Sequence, residues 1–143
     1  MTIDDVITAM YDSMCFERGE RPKWERQAEL FAPRARLVRV NDEGVFEFDP
    51  GSFREDLEGR IASGSIASFW EGELQRDTNE FGGIAHVLSL YETRPSRAAE
   101  PGSRALKSIQ LFKRSGRWWI SAMIWRREGG DFRIDAEEHF RNT

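Results

Sequence analysis

Four side chains in the second half of the chain have the chemistry of an acid–base catalyst. His86 lies in a segment that is apolar on both faces, and an imidazole facing a pocket would act as general acid or base because its pKa lies near neutral pH. Glu71, Glu73 and Glu80 are the other candidate bases, and the first two share a strand face with Phe69. Two alternatives stay open: a hydrogen-bonded histidine in the core or at a dimer interface, and carboxylates solvated on their strands.

An arginine and several tryptophans have the chemistry of a binding site. The Arg39 guanidinium would hold a carboxylate or phosphate, or would pair with an acidic neighbour or be solvated. Large indole rings are costly to expose together, so they line a cavity for a flat, partly aromatic ligand or fill the core. These rings belong to Trp24, Trp70, Trp119 and Trp125.

Composition excludes several classes of protein. The chain has 143 residues and a net charge of −4, whereas a nucleic-acid binder is expected to be basic. Its one cysteine, Cys15, excludes an internal disulfide and a cysteine-based zinc site, and two histidines leave little for another metal site. No apolar run approaches the ~18–20 residues of a membrane span. We therefore expect one soluble, cytoplasmic domain without metal, cofactor, nucleic-acid or membrane partner.

The first half of the chain is mainly helical in pattern. Apolar residues at three- and four-residue steps predict a helix over 3–18 that Thr2 caps and a second helix over 22–32 that Pro33 ends. Alternation then predicts strands over 35–41 and 45–48. Asp49 and Pro50 begin a third helix, which ends near residue 64.

The second half alternates as a β-sheet does. We predict antiparallel strands over 66–76, 81–93, 104–114 and 117–127, with a tight hairpin turn at Ser115-Gly116. The pattern indicates a domain over 1–128 followed by a polar tail over 129–143. Such a sheet must wrap around the three helices, because one sheet face needs cover. The expected fold is therefore α+β and cone-shaped, with a strongly curved antiparallel sheet and room for a ligand inside.

Three stretches carry a resemblance to a known superfamily. They are Leu30-Phe31-Ala32-Pro33 at the end of the helical hairpin, Asp49-Pro50-Gly51 before the third helix, and Gly116-Arg117-Trp118-Trp119-Ile120-Ser121 in the last hairpin. With their order, the sequence over 3–127 resembles the nuclear transport factor 2-like (NTF2-like) superfamily, which includes SnoaL-type polyketide cyclases and ketosteroid isomerases. The resemblance implies a cone-shaped fold that dimerises through the outer face of its sheet. It does not imply one activity, since the fold carries many.

The isomerase catalytic groups do not all carry over to this chain. Tyr11 matches the isomerase tyrosine, but the catalytic base falls at Arg39 and the catalytic acid at Ser108. An arginine stays charged at neutral pH and cannot abstract a proton. Steroid isomerisation by that mechanism is therefore not expected.

The last hairpin gives a prediction of which side chains face the cavity. Pairing through Ser115-Gly116 sets Phe112 opposite Trp119 and Gln110 opposite Ser121. The predicted pocket face comprises Leu106, Ser108, Gln110, Phe112, Trp119, Ser121, Met123 and Trp125. The opposite face carries Lys107, Ile109, Leu111, Lys113, Trp118, Ile120, Ala122 and Ile124, and its aliphatic middle suggests a homodimer surface.

Two hypotheses of function follow. The first is a SnoaL-type protein that binds a small hydrophobic or weakly acidic molecule in the cone. In it, His86 or a strand glutamate is the base and Tyr11 a hydrogen-bond donor. As an enzyme it would be an isomerase, cyclase or dehydratase-type lyase without metal. The second is a non-catalytic dimeric accessory module, for example a small subunit of a larger enzyme. The predicted ligand contacts are Trp24, Arg39, Ser108, Gln110, Trp119, Ser121, Met123 and Trp125.

Overall fold

The computed structural model describes residues 1–140 of the chain. Over these residues, helices and one curved sheet form an α+β cone, as the sequence predicts. The helices are α1 (Ile3–Met14), α2 (Trp24–Ala28), α3 (Pro50–Ala62) and α4 (Ala136–His139). The strands are β1 (Phe31–Asn41), β2 (Gly44–Phe48), β3 (Trp70–Phe81), β4 (Ile84–Arg94), β5 (Arg104–Arg114) and β6 (Arg117–Arg127).

Helix α1 begins where its cap predicts and ends at Met14, before the predicted end at residue 18. The Thr2 hydroxyl accepts a hydrogen bond from the Asp5 backbone at 3.1 Å, and the Asp5 carboxylate accepts one from the Thr2 backbone at 2.9 Å. Beyond Met14 the chain is extended, because Phe16 exchanges two backbone hydrogen bonds with Phe69 at 3.0 and 2.9 Å. A long-range bridge therefore ends the helix, and the predicted end at residue 18 is wrong.

The second helix is also shorter than predicted. α2 ends at Ala28, and β1 already begins at Phe31, so Pro33 lies inside a strand rather than at a helix end. The β1–β6 pairing is irregular between Phe31 and Arg36. A proline, which has no N–H to donate, is tolerated in such an interruption of the hydrogen-bond ladder.

The strands form one sheet in the order β2-β1-β6-β5-β4-β3. In the described part of the chain, β1 runs parallel to β6 and the other neighbours are antiparallel. The β5–β6 turn has positive φ at Ser115 (52°) and Gly116 (76°), which is the backbone of a tight hairpin that follows the twist of the strands. Strands β5 and β6 consequently begin and end where the sequence predicts.

A bulge in the last hairpin changes which side chains share a face. Phe112 lies opposite Trp119 as predicted, but Gln110 lies opposite Ala122 because Ser121 is the extra residue of β6. From there to the end of the hairpin the predicted pairing is wrong by one residue. Met123 therefore shares a face with Ile109, and its neighbours along that face are Trp125 and Lys107.

The inner face of the sheet forms the core with α1. Ile109, Leu111 and Ile120, which were predicted to form a dimer surface, are 0%, 3% and 0% exposed and belong to this core. Of that predicted surface, Ile124 is exposed (45%). The side chains of α1 that complete the core are Ile3, Val6, Ile7, Met10, Tyr11 and Met14.

The predicted tail contacts the sheet through β5. Arg104 donates hydrogen bonds to the Glu128 carboxylate at 3.0 and 3.1 Å and to the Ile134 carbonyl at 2.9 Å. Phe140 is 4% exposed. Residues 141–143 of the predicted tail lie outside the described residues. Within 1–140, no helix is both long enough and apolar enough to cross a membrane.

Candidate functional site

A cavity of about 410 Å³ lies between the inner face of the sheet and the helices. Its walls are mainly apolar, and Phe53 of α3 meets Trp125 of β6 edge-to-face with ring centroids 6.0 Å apart. This size and lining are typical of a small-molecule pocket. The apolar and aromatic lining comprises Met14, Val40, Phe46, Phe53, Leu57, Ile66, Phe69, Tyr91, Met123 and Trp125.

An ion pair between Glu71 and Lys107 lines this cavity. Lys107 Nζ lies 2.7 Å from Glu71 Oε1, and the two side chains are 3% and 6% exposed. The ammonium also lies 4.3 Å from the ring centroid of Tyr11 and 4.4 Å from that of Tyr91. Two aromatic faces and one carboxylate thus replace the water that a lysine normally binds.

Burial changes the acid–base properties of these groups. It lowers the pKa of the Lys107 ammonium, although the Glu71 carboxylate acts in the opposite direction. Burial raises the pKa of the Tyr11 phenol, and the nearby charge of Glu71 raises it further. The same two causes raise the pKa of Tyr91. Both phenols therefore stay protonated at neutral pH, while Lys107 gives up its proton more readily than a solvated lysine.

The phenol of Tyr11 is engaged away from the cavity. Ser89 Oγ donates to Glu73 Oε2 at 2.5 Å, so the Tyr11 hydroxyl, 2.7 Å from Ser89 Oγ, is the donor of its own bond. Arg76 holds Glu73 in turn through bonds of 2.9 and 3.0 Å. Tyr11 is not part of the cavity lining, and its ring supports Lys107 from behind.

Arginines stand at the rim of the cavity. Arg39 of β1 lies over the rings of Phe46 and Phe48, 5.0 and 5.5 Å from their centroids. Burial lowers the pKa of its guanidinium, and the nearby charge of Arg60 lowers it further. Arg60 and Arg127 line the same cavity, so positive charges cluster there.

Comparison with known proteins identifies the fold. A scan of the sequence against protein-family models gives no match, and a search of curated proteins gives none either. Solved structures do match. An NTF2-like protein of unknown function from Silicibacter pomeroyi DSS-3 is 18% identical, with a TM-score of 0.57 over 88% of this chain and 92% of that one. The chain has the NTF2-like fold.

Two further structures show how varied proteins with similar folds are. A protein of unknown function with a cystatin-like fold from Nostoc punctiforme PCC 73102 has a TM-score of 0.68, with 13% identity over 88% of both chains. A hexachlorocyclohexane dehydrochlorinase from Novosphingobium barchaimii LL02 has a TM-score of 0.66, with 12% identity over 89% of this chain and 84% of that one. At such low sequence identity, structural similarity indicates a shared fold but not a shared activity. The chemistry of this chain must therefore be argued from its own residues.

The NTF2-like cone brings some of the predicted site residues together. Arg39, Met123 and Trp125 line the cavity. Trp24 is adjacent to it: its indole N–H donates to Glu58 Oε1 at 2.6 Å and its ring packs edge-on against Phe53, 6.5 Å between centroids. Trp24 therefore supports the cavity wall without lining it.

Other predicted site residues lie on the outer face of the cone. His86 pairs across the sheet with Gln110, and its Nε2 lies 2.8 Å from Ser108 Oγ. None of these three lines the cone cavity, and neither do Trp119 and Ser121. For the four residues of the last hairpin the predicted orientation is corrected, because the bulge at Ser121 breaks the alternation from which it was derived. The sequence left the face of His86 open.

Lys107 is the site residue that the sequence analysis assigned to the wrong face. It alternates with Ala105, Ile109 and Leu111, which are all buried, so a single charged side chain interrupts an apolar stripe. That interruption was the available signal, since a buried charge is rare unless it is paired. The partner, Glu71, was among the candidate bases.

Proposed function

We propose that this NTF2-like protein binds a small, largely apolar molecule in its cone cavity and transfers a proton on it, as a SnoaL-type enzyme would. The supporting observation is the Glu71–Lys107 pair, two ionisable side chains at most 6% exposed in the lining of an otherwise mainly apolar cavity. Charges in a cavity with little water act strongly on a bound molecule, and a lysine whose pKa is lowered by burial in a cavity is a candidate for catalysis.

The pair suits proton abstraction next to a carbonyl group. The Glu71 carboxylate takes a proton from the carbon, the C–H electron pair moves to form an enolate, and the Lys107 ammonium stabilises the negative oxygen. Return of the proton to another carbon would give isomerisation, and departure of a β-substituent with the electron pair would give elimination. Both outcomes agree with an isomerase or lyase, and neither needs His86.

The experiment measures ligand binding first and then deuterium incorporation into the bound ligands. Hydrophobic carboxylic acids and polyketide-like phenols and ketones are screened by thermal shift, and the ligands that bind are incubated in D₂O and followed by NMR. We expect deuterium at the carbon next to the carbonyl. The Glu71→Gln variant, which keeps the shape of the side chain, is expected to lower the exchange rate at least about 100-fold while binding persists.

The matched control is His86→Gln, because His86 is the other candidate base and lies on the outer face. It is expected to exchange at the wild-type rate. Exchange that is unaffected by Glu71→Gln, or lost in His86→Gln alone, would contradict the assignment of the base.

A non-catalytic binding or accessory module is the second candidate function. It is favoured by the direct 2.7 Å contact of Glu71 and Lys107, which already satisfies both charges without a substrate. In that case ligands would bind in the cone but none would exchange hydrogen in an enzyme-dependent way.

We also propose that the chain is a homodimer, with a surface that differs from the one its sequence suggested. The outer part of the β3–β4 hairpin exposes Phe81 (83%) and Ile84 (62%), and Ile124 of β6 is 45% exposed. Covering apolar side chains of this size would remove an unfavourable contact with water.

A further inference from the structure

A second groove lies beside the mouth of the cone cavity. It has a volume of about 610 Å³, and Arg60, Ile66, Phe69 and Arg127 line both the groove and the cavity. The two spaces are therefore neighbours. A ligand that extends from the cone past these four side chains would reach the groove.

The groove is lined by positive charge. Arg18, Arg60, Arg94 and Arg127 contribute to its walls, and among residues 1–140 no carboxylate does. This excess of positive charge is local, because the whole chain carries a net charge of −4. A concave surface with charge of one sign concentrates ligands of the opposite sign.

Part of this charge is compensated by neighbours outside the groove. Arg60 lies 3.1 Å from the Asp56 carboxylate, and Arg94 lies 2.7 Å from that of Glu92. These contacts fix two of the guanidinium groups in place and neutralise them.

The remaining charge has no partner in the described part of the chain. Arg18 and Arg127 form no ion pair there, and neither does Arg39 on the adjoining rim. Two guanidinium groups without an ion pair, those of Arg18 and Arg127, thus line the groove, while Arg39 on the adjoining rim lies near the carboxylates of Asp56 and Glu43. Guanidinium groups bind planar or tetrahedral oxyanions through paired N–H donors.

We propose that the ligand is an apolar molecule with a phosphate group, whose apolar part occupies the cone and whose phosphate binds in the arginine groove. This deepens the proposed function by naming the class of ligand, and it rests on that function for the apolar part. A phosphate is favoured over a single carboxylate because it carries up to two negative charges and three terminal oxygens, which match the two guanidinium groups that form no ion pair.

The test uses three probes with eight carbon atoms each: octyl phosphate, octanoate and octanol. Binding is measured by titration calorimetry below micelle-forming concentrations. We expect octyl phosphate to bind at least about tenfold more tightly than the other two, and this preference to shrink as salt is added, because the groove arginines are partly exposed.

Variants then locate the phosphate. Arg18→Ala and Arg127→Ala are each expected to lower the preference for octyl phosphate over octanol about fivefold, and the double variant to abolish it. Arg34→Ala is the matched control, because Arg34 is exposed and lines neither the groove nor the cone cavity. It removes the same charge and should keep the wild-type preference.

Several results would overturn this proposal: no preference for octyl phosphate over octanol, an equal affinity for octanoate, or a preference that survives in the double variant. Failure of the proposed function gives a different pattern. If octanol does not bind, but inorganic pyrophosphate binds and the double variant loses it, the groove holds phosphate and the cone does not hold an apolar molecule.

Discussion

Two hydrogen-bonded pairs of side chains lie on opposite faces of the same sheet. On the inner face, Lys107 Nζ lies 2.7 Å from Glu71; on the outer face, His86 Nε2 lies 2.8 Å from Ser108 Oγ. Lys107 and Ser108 are consecutive residues of β5, so strand alternation sends them in opposite directions. The two pairs therefore differ in surroundings far more than in sequence position.

The two pairs differ in how far the protein encloses them. A histidine is the usual choice of base at neutral pH, but His86 and Ser108 are only partly buried and lie outside the cone. Glu71 and Lys107 lie among aromatic rings, where few waters screen their charges and each charge acts more strongly on a ligand. The less obvious pair is thus the better candidate for chemistry.

The largest expected effect is on stability, when the inner pair loses one member. Lys107→Met should lower the free energy of unfolding by about 3–5 kcal/mol, because it leaves the Glu71 carboxylate buried without a partner. Ser108→Ala, the matching change on the outer face, should cost about 1 kcal/mol or less. Urea denaturation at pH 7 compares the two variants.

The double variant Glu71→Gln/Lys107→Met guards against a single variant that does not fold. It removes both charges and should regain most of the unfolding free energy that Lys107→Met loses. A Lys107→Met variant as stable as Ser108→Ala would show that the inner pair is not buried as described.

The inner face should also control the ionisation of both tyrosines in the chain. The pKa values of Tyr11 and Tyr91 are raised from their ordinary value near 10 by burial, with Glu71 as the second cause. Absorbance at 295 nm should therefore show no tyrosinate at pH 10–11 in the folded protein, whereas the chain in urea should titrate near pH 10.

A raised phenol pKa fixes the sign of the pH dependence. Below pH 10 the folded and unfolded states hold the same phenol protons, and above it the unfolded state loses protons that the folded state keeps. Stability should therefore fall as the pH rises beyond 10. The lowered pKa of Lys107 has the opposite effect, since it makes stability rise with pH up to the ordinary lysine value of 10.5. Comparison of the wild-type protein with Tyr11→Phe therefore isolates the contribution of Tyr11. If the stability of Tyr11→Phe fell as steeply above pH 10 as that of the wild-type protein, a raised pKa of Tyr11 would be contradicted.

The smallest expected effect on the fold belongs to the outer face. Ile84→Glu should change the stability of the monomer by about 0.5 kcal/mol or less, since Ile84 is 62% exposed, yet it should weaken the homodimer. Light scattering over a range of concentrations measures this. Val45→Glu, at a residue 63% exposed, is the matched control and should leave the dimer intact. A wild-type protein that stays monomeric would refute the dimer.

Local signals in the sequence were enough for most of the fold. The Thr2 and Asp49 caps mark the starts of α1 and α3, and Ser115-Gly116 fixes the ends of β5 and β6. Each of these features depends on residues within a few positions, which is the range over which capping and turn chemistry act. Element ends set by distant contacts were missed, as the Phe16–Phe69 bridge shows.

The candidate site was predictable only in part. Arg39, Met123 and Trp125 were expected at the cavity and lie there, and Glu71 was among the candidate bases. Lys107 was placed on the wrong face, because one extra residue at Ser121 reverses the alternation along the rest of the hairpin. Nothing in the local sequence around Ser121 distinguishes a bulge from regular alternation.

The amino-acid order alone settled the succession of helices and strands up to the end of β6 and the cone-shaped architecture, since periodicity, caps and turns are local properties of the chain. It did not predict α4, which lies in the segment expected to be a polar tail. Only the tertiary structure determined the sheet face on which each chemically active side chain lies. That choice depends on strand register and on a bulge, which the packing of distant segments selects. For this reason Glu71 and Lys107, 36 residues apart along the chain, became partners only when β3 and β5 curved around the same cavity.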